Sequence, residues 1–403
     1  MVEQTEKVVV EGLYKVFGPN PERAFDCIEQ GMGKDAVFEQ TGLTIGVNNA
    51  SFSVYAGEIF VVMGLSGSGK STLVRMLNRL IEPTSGHVYV EGKDVAHMDK
   101  DELINMRRKN MSMVFQSFAL MPHLTVQQNA AYGLDIANVP EKERNERALK
   151  ALEQVGLKAN AKSYPSELSG GMQQRVGLAR GLAVDPSIML MDEAFSALDP
   201  LIRAEMQDEL IKLQAESQRT VIFISHDLDE AMRIGDRIAI MEGGRIVQIG
   251  SPEEILKNPA DEYVRAFFRG VDPTNVLRAG DIVRDTQVRI IRHRGEGPRS
   301  ALELLMKNDR DYGYVLDQQR RFLGVVSVNS LRSAIDAGSE GENALKSAFL
   351  PEVETVNAEN SLQDILPIIT KSSWAVPVVD EDNVYQGAIS KNVFLRTLER
   401  DTQ

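Results

Sequence analysis

The sequence predicts an α/β protein with a largely parallel sheet, interrupted by a helical insertion and followed by a smaller α+β unit that repeats itself. Three observations carry this reading. Through residue 250, short apolar and β-branched runs alternate with stretches of helical periodicity, the pattern of a parallel sheet joined by crossover helices. From about 117 to 180 that rhythm gives way to mostly helical sequence. From 277 the texture changes, and two segments align without a gap at an offset of 63 residues. A chain of 403 residues also exceeds one ordinary core, so the expected division is a first domain over 1–276 and a second over 277–403.

Taken in order, the candidate buried strands are "IFVVMG" (59 to 64), "MSMVFQ" (111 to 116), "IMLMDE" (188 to 193) and "TVIFIS" (220 to 225). Each ends after a handful of residues, far short of the roughly 20 apolar residues that span a bilayer. The helix "STLVRMLNRL" follows the first strand, and "PEKERNERALKALEQVGL" within the insertion places its apolar residues at helical spacing. In the tail, "VLDQQRRFLGVVSVNSL" (315 to 331) matches "VVDEDNVYQGAISKNVF" (378 to 394), pairing Val315 with Val378, Asp317 with Asp380, Gly324 with Gly387 and Ser327 with Ser390. Each copy follows one helical segment and precedes another, which sets the expected halves at 277–338 and 345–403. Neither half can bury its apolar face alone, so the two should pack together.

Charge and cysteine content narrow the function. The net charge of −13 opposes a general nucleic-acid binder, because displacing phosphate counterions takes a basic face. The acidic N-terminus lacks the basic start and apolar stretch of a secretory signal, so a cytoplasmic location is expected. The one cysteine, Cys27 in "AFDCIEQ", excludes an internal disulfide framework and reads as a small apolar helix position.

The chemistry begins at "GLSGSGKS" (64 to 71), which fits G-x-x-x-x-G-K-[ST] directly after a strand and before a helix. Gly64, Gly67 and Gly69, with Ser66 and Ser68, let successive backbone N–H groups turn toward phosphate oxygens. The start of the next helix, carrying Lys70, Ser71 and Thr72, adds its positive end. Lys70 is expected on the β- and γ-phosphates and Ser71 on the metal, which predicts ATP and Mg2+. Asp192 and Glu193 close a buried strand, where open parallel sheets place ligand chemistry. Asp192 is expected to hold magnesium through water and Glu193 to orient and deprotonate the attacking water. His226, after another strand, is placed either to touch the γ-phosphate or to fix Glu193; Gln116 is placed to reach the metal or the water.

Five motifs in order, "GLSGSGKST", "VFQ", "LSGGMQQR", "IMLMDEAFSALD" and "FISHD", resemble the ATP-binding subunits of ABC transporters over about residues 5 to 250. The resemblance implies a P-loop NTPase fold of the ABC type and a homodimer whose ATP sites lie between two subunits. On that reading the lysine-free cradle serves the partner's nucleotide: Ser169, Gly170 and Gly171, followed by Gln173, would meet the γ-phosphate held by the other chain's Lys70. Asp199 would lie in the loop bridging the two sites, and Phe17 aligns with the aromatic that stacks on adenine. The long connection after Phe17, together with "RLIEPTSG" and "FQSFALMPHLTV", looks like the osmoprotectant subgroup that imports glycine betaine and proline betaine. That likeness implies a peripheral subunit on the cytoplasmic face of the inner membrane, docked under permease subunits supplied by a periplasmic or surface binding protein. An importer ATPase for another solute, such as an amino acid, shares the same catalytic motifs; a non-transport ABC ATPase is the further alternative.

The tail repeat resembles a tandem CBS pair. Adenosine-binding units of that family carry an aspartate three residues after the serine or threonine, where this chain has Ser330 and Val393. Arg284, Arg289, Arg292, Arg294 and Arg299 form a basic run that reads either as a solvated face or as a contact for anionic lipid weakened by salt.

Overall fold

The computed structural model describes residues 5–398 apart from 117, 197, 270, 271, 273, 275, 292–296 and 339–343. The chain divides into two compact units, Met1–Phe268 and Arg269–Gln403. Arg292 and Arg294 of the basic run lie outside the described residues.

The first unit carries two sheets. An antiparallel sheet of order β2-β1-β4-β5 is built from β1 (Glu6–Phe17), β2 (Thr44–Tyr55), β4 (Ser85–Val90) and β5 (Lys93–Asp94). A larger sheet runs β10-β9-β3-β8-β7-β6, made of β3 (Ile59–Met63), β6 (Met111–Phe115), β7 (Ile188–Asp192), β8 (Thr220–Ser225), β9 (Arg237–Glu242) and β10 (Arg245–Gly250). All pairings within it are parallel except β9 with β10. Every residue of β3, β7 and β8 is buried, which is why these segments read as unbroken apolar runs: parallel strands are covered on both faces. The two sheets share a core in which Val8, Val10, Val47 and Val54 meet Phe60, Val62, Ile222 and Ile224, with Phe52 stacked on Phe60 at 5.3 Å.

Between β1 and β2 the chain inserts two helices, α1 (Glu22–Glu29) and α2 (Lys34–Thr41). They are anchored by a small core of their own, Val16, Ala24, Cys27, Val37, Leu43 and Ile45. Cys27 is buried there, as its helix position required. After β3 comes α3 (Lys70–Leu77), whose Leu73, Val74, Met76 and Leu77 face the main core. The predicted helix runs three residues longer. It stops at Leu77 because Arg79 takes a left-handed φ of 53° and Arg107 donates to the carbonyls of Asn78 and Arg79, satisfying the helix end from outside. The intervening helical region comprises Val126–Ile136, Glu141–Gln154 and Gly170–Ala183, packed against one another. Asn129, fully buried, latches the preceding loop: its amide donates to the carbonyls of Met121, Leu124 and Thr125 and its oxygen accepts from Met121 N.

The second unit preserves the repeat to fine detail. One sheet is β11 (Val288–Ile291), β12 (Tyr312–Leu316) and β13 (Phe322–Ser327); the other is β14 (Val356–Asn357), β15 (Val376–Val379) and β16 (Tyr385–Ile389). Each has one parallel and one antiparallel pairing, and the antiparallel register slips at Val315/Leu316 in one and at Val378/Val379 in the other. Asp317 and Asp380 each accept two backbone N–H bonds across the following turn, in which Arg320 and Asn383 adopt φ of 63° and 61°. The halves interlock: Phe322 N donates to Asn383 O and Tyr385 N to Arg320 O, both at 3.0 Å. The flanking segments cross over. Arg284 pairs with Ala388 of the second half, whereas Phe349 pairs with Val326 of the first. An aromatic seam of Tyr312, Tyr314, Phe322, Trp374 and Tyr385 fills the junction. No described helix is long and apolar enough to cross a membrane.

Candidate functional site

The ends of β3, β7 and β8 and the start of α3 converge on one cleft. Two glycines make the turn after β3 possible. Gly64 has φ 150° and a side chain there would sit 2.2 Å from Met241 O; Gly69 has φ 104° and a Cβ would sit 2.1 Å from Gly46 O. No side chain caps α3, because its N-cap is Gly69, so the first-turn N–H groups lie open to an anion. Ser68 is buried and its Oγ has no partner among the described residues, an orphan that a phosphate oxygen would satisfy.

Lys70 opens α3, 5% exposed, and donates to the carbonyls of Gly64 (2.8 Å) and Leu65 (3.0 Å). Burial pushes its ammonium below the usual lysine range, and the nearby Glu193 and Asp192 carboxylates oppose that shift. A cleft of about 280 Å³ is lined by Lys70, Ser71 and Thr72, the loop residues Ser66, Gly67 and Gly69, Glu193, and Phe17, Lys34, Thr44, Ile45 and Gly46. Phe17 lies at its edge with its ring 39% exposed, available to a stacking base.

Asp192 ends β7 and is buried. Its Oδ1 accepts from Ser71 Oγ at 2.8 Å, while Oδ2 accepts from Arg75 Nε (3.2 Å) and Nη2 (2.9 Å). The serine hydroxyl and aspartate carboxylate thus present the oxygen donors a hard divalent cation takes. Glu193, one residue beyond the strand, has φ 47°, a conformation that costs a non-glycine residue and is held here by its N–H bond to Ile224 O. The strain turns the carboxylate toward Gln116 and His226: Oε2 lies 3.2 Å from Gln116 Nε2 and 3.4 Å from His226 Nδ1. Gln116 also donates to Ser196 Oγ at 3.3 Å.

The second cradle stands apart. Ser169 caps the helix Gly170–Ala183, its Oγ accepting from Met172 N at 3.3 Å. Gly171 is required by packing, since a Cβ would meet Ile202 at 2.8 Å, whereas Gly170 has only Phe118, at 3.7 Å. Gln173 holds the loop from behind, donating to the carbonyls of Pro165 and Leu168. None of Ser169, Gly170, Gly171 and Gln173 lines the cleft at Lys70. Asp199 caps the helix Pro200–Ser217 through Ile202 N.

Three contributors carry no motif. Arg75, one turn past Ser71 on the same face of α3, was legible as an i,i+4 neighbour. Arg203 pairs with Asp227 at 2.8 Å and donates to Leu198 O, tying the loop before Asp199 to the loop holding His226. Lys34 comes from the α1–α2 insertion, and nothing local in the sequence marks it. In the tail, Ser330 exchanges capping bonds with Ser327, and Val393 receives the equivalent cap from Ser390. Arg289 pairs with Asp285 at 3.0 Å.

A parallel sheet with a glycine-cradled lysine, an acidic strand end and a remote second cradle defines an ABC-type ATPase. The family described as ABC transporter matches residues 47–196, and the CBS domain family matches 346–400. The chain is 57% identical to the glycine betaine/proline betaine transport system ATP-binding protein ProV of Escherichia coli K12, over 98% of each chain. It is 48% identical to the glycine betaine transport ATP-binding protein OpuAA of Bacillus subtilis, over 98% of this chain and 93% of that one. A solved dimeric structure of MJ0796, a bacterial ABC transporter cassette, superposes with TM-score 0.52 at 32% identity, covering 60% of this chain and 98% of that one. A second structure of MJ0796, also dimeric and bound to ADP and Pi, matches equally well. The chain belongs to the family of glycine betaine/proline betaine ABC transport ATP-binding subunits. It is a nucleotide-binding, ATP-hydrolysing transport subunit with a C-terminal CBS domain.

Proposed function

We propose that two copies of this chain, docked on permease subunits at the cytoplasmic face of the membrane and served by a solute-binding protein, power uptake of glycine betaine and proline betaine. The observation that carries the reading is the cluster of Glu193, Gln116 and His226 beside the Lys70 cleft, with the second cradle held away from that cleft within one chain. Lys70 and the open N-terminus of α3 bind the ATP phosphates, and Phe17 stacks on adenine. Ser71 and Asp192 hold Mg2+, the aspartate through water, which requires Arg75 to release one carboxylate oxygen. The cation, once bound, neutralises charge on the transferring phosphoryl group. Glu193 accepts a proton from the attacking water; Gln116 and His226 hold its carboxylate, and Gln116 is within reach of the same water or the metal. Ser169, Gly170 and Gly171 of the partner close the γ-phosphate side, so hydrolysis requires the pair.

The CBS tail regulates this cycle, and its arginines are the candidate contact for anionic lipid, weakened as ionic strength rises. The test is ATPase activity of the subunit with its permease in anionic liposomes, with and without binding protein and glycine betaine, across internal salt. Stimulation by the loaded binding protein supports the importer, and an ATPase indifferent to glycine betaine overturns the choice of solute. A salt threshold that is unchanged in an Arg292→Glu, Arg294→Glu variant overturns the lipid contact.

A further inference from the structure

The α1–α2 insertion has so far no task in the chemistry, yet it delivers a cation to it. Lys34 is the first residue of α2, and its Nζ donates to Gly67 O of the phosphate loop at 2.9 Å. It lines the same cleft as Lys70, Ser66 and Phe17. Its position is set by packing. Val37, one turn on, is fully buried in the insertion's own core with Ala24 and Cys27, and Met32 N bonds to Cys27 O at 3.0 Å, fixing the turn that leads into α2.

Two features distinguish Lys34 from a solvated surface lysine. It lies on the first position of a helix, the end where the macrodipole opposes a cation. Among the described residues no carboxylate stands within ion-pair distance to offset that; its recorded partner is a backbone carbonyl of the loop it faces. A half-buried, uncompensated ammonium beside an anion cradle is electrostatically costly when the cradle is empty and favourable when phosphate fills it.

Building on the reading of this cleft as the ATP site, we infer that Lys34 is a substrate-positioning residue. Its ammonium contacts the polyphosphate of the bound nucleotide from the side opposite Lys70, so that the insertion closes over the phosphate loop when nucleotide arrives. The contact is to charge already present in the ground state, so it sets nucleotide affinity and leaves the chemical step alone.

Lys34→Gln separates the two roles open to this side chain, because the amide still donates to Gly67 O but carries no charge. Binding of a fluorescent ATP analogue to the full chain, at two salt concentrations, is the direct readout. The expected result is an affinity about tenfold weaker, since a lost charge-assisted contact is of that order, with a flatter salt dependence and rescue by Lys34→Arg. KM for ATP should rise with kcat unchanged. The melting temperature without nucleotide should match the unsubstituted protein and its stabilisation by ATP should shrink. Unaltered ATP affinity in Lys34→Gln, alongside loss in Lys70→Ala, would reduce Lys34 to a brace for the loop. Failure of the unsubstituted chain to bind ATP would instead remove the reading of the cleft itself.

Discussion

The stretches "LSGSGKS" and "LSGGMQQ" open alike and do opposite things with the helix that follows. In the first, the helix begins at a glycine in the left-handed region, no side chain caps it, and a lysine is buried at the first turn. Its donors are left for a ligand. In the second, Ser169 has ordinary extended dihedrals and spends its own hydroxyl on Met172 N. That end is already satisfied and sits away from the cleft. The difference teaches that glycine content marks where phosphate can approach, while the cap decides whether the site waits for a ligand in its own chain or is completed by one brought from outside.

The largest effect expected from breaking this arrangement is at Glu193. Glu193→Gln removes the base and leaves both cradles intact, so turnover should fall by about 10²–10⁴-fold with ATP affinity retained, measured by phosphate release and nucleotide binding in parallel. Next come the cradles themselves. Lys70→Ala should weaken ATP binding to the single chain by about 10- to 100-fold, from the loss of a charge-assisted contact. Ser169→Ala should leave that binding untouched while lowering hydrolysis by the assembled pair; equal losses of binding in the two variants would erase the distinction between the cradles.

The backbone sharpens the same comparison. Gly69→Ala forces a left-handed residue with its Cβ 2.1 Å from Gly46 O, so a loss of about 1–3 kcal/mol is expected in a denaturant melt. Gly170→Ala has 3.7 Å of room and sits in a helix, where alanine should be neutral or stabilising by up to about 1 kcal/mol. The smallest effect is expected in the tail. Tyr385 OH is buried without a partner among the described residues, whereas the Tyr314 hydroxyl donates to Ala375 O. Tyr385→Phe should therefore hold or gain about 1 kcal/mol in the same melt, while Tyr314→Phe should lose a comparable amount.

What was legible in the sequence follows from how local each signal is. The buried strands announced themselves as apolar runs, and the phosphate loop is contiguous, so its lysine and glycines could be placed from spacing alone. The tail repeat kept its 63-residue offset down to the β-bulge and the turn residues Arg320 and Asn383. Glu193 was placed on the strand end, but its left-handed backbone, which aims the carboxylate at Gln116 and His226, has no sequence signature. Arg203 with Asp227 and Lys34 with Gly67 arise only when separate elements meet in space. The crossing of Arg284 and Phe349 to opposite halves of the tail was equally invisible, because a bridge between distant backbone segments leaves no local pattern.

The central claim is that the two cradles complete each other across a pair of chains. Light-scattering mass of the Glu193→Gln protein, with ATP and then with ADP, tests it most directly. The expected result is a species of twice the 44.7 kDa chain mass with ATP, reverting to a single chain with ADP. A mass of one chain with ATP demonstrably bound would contradict the account.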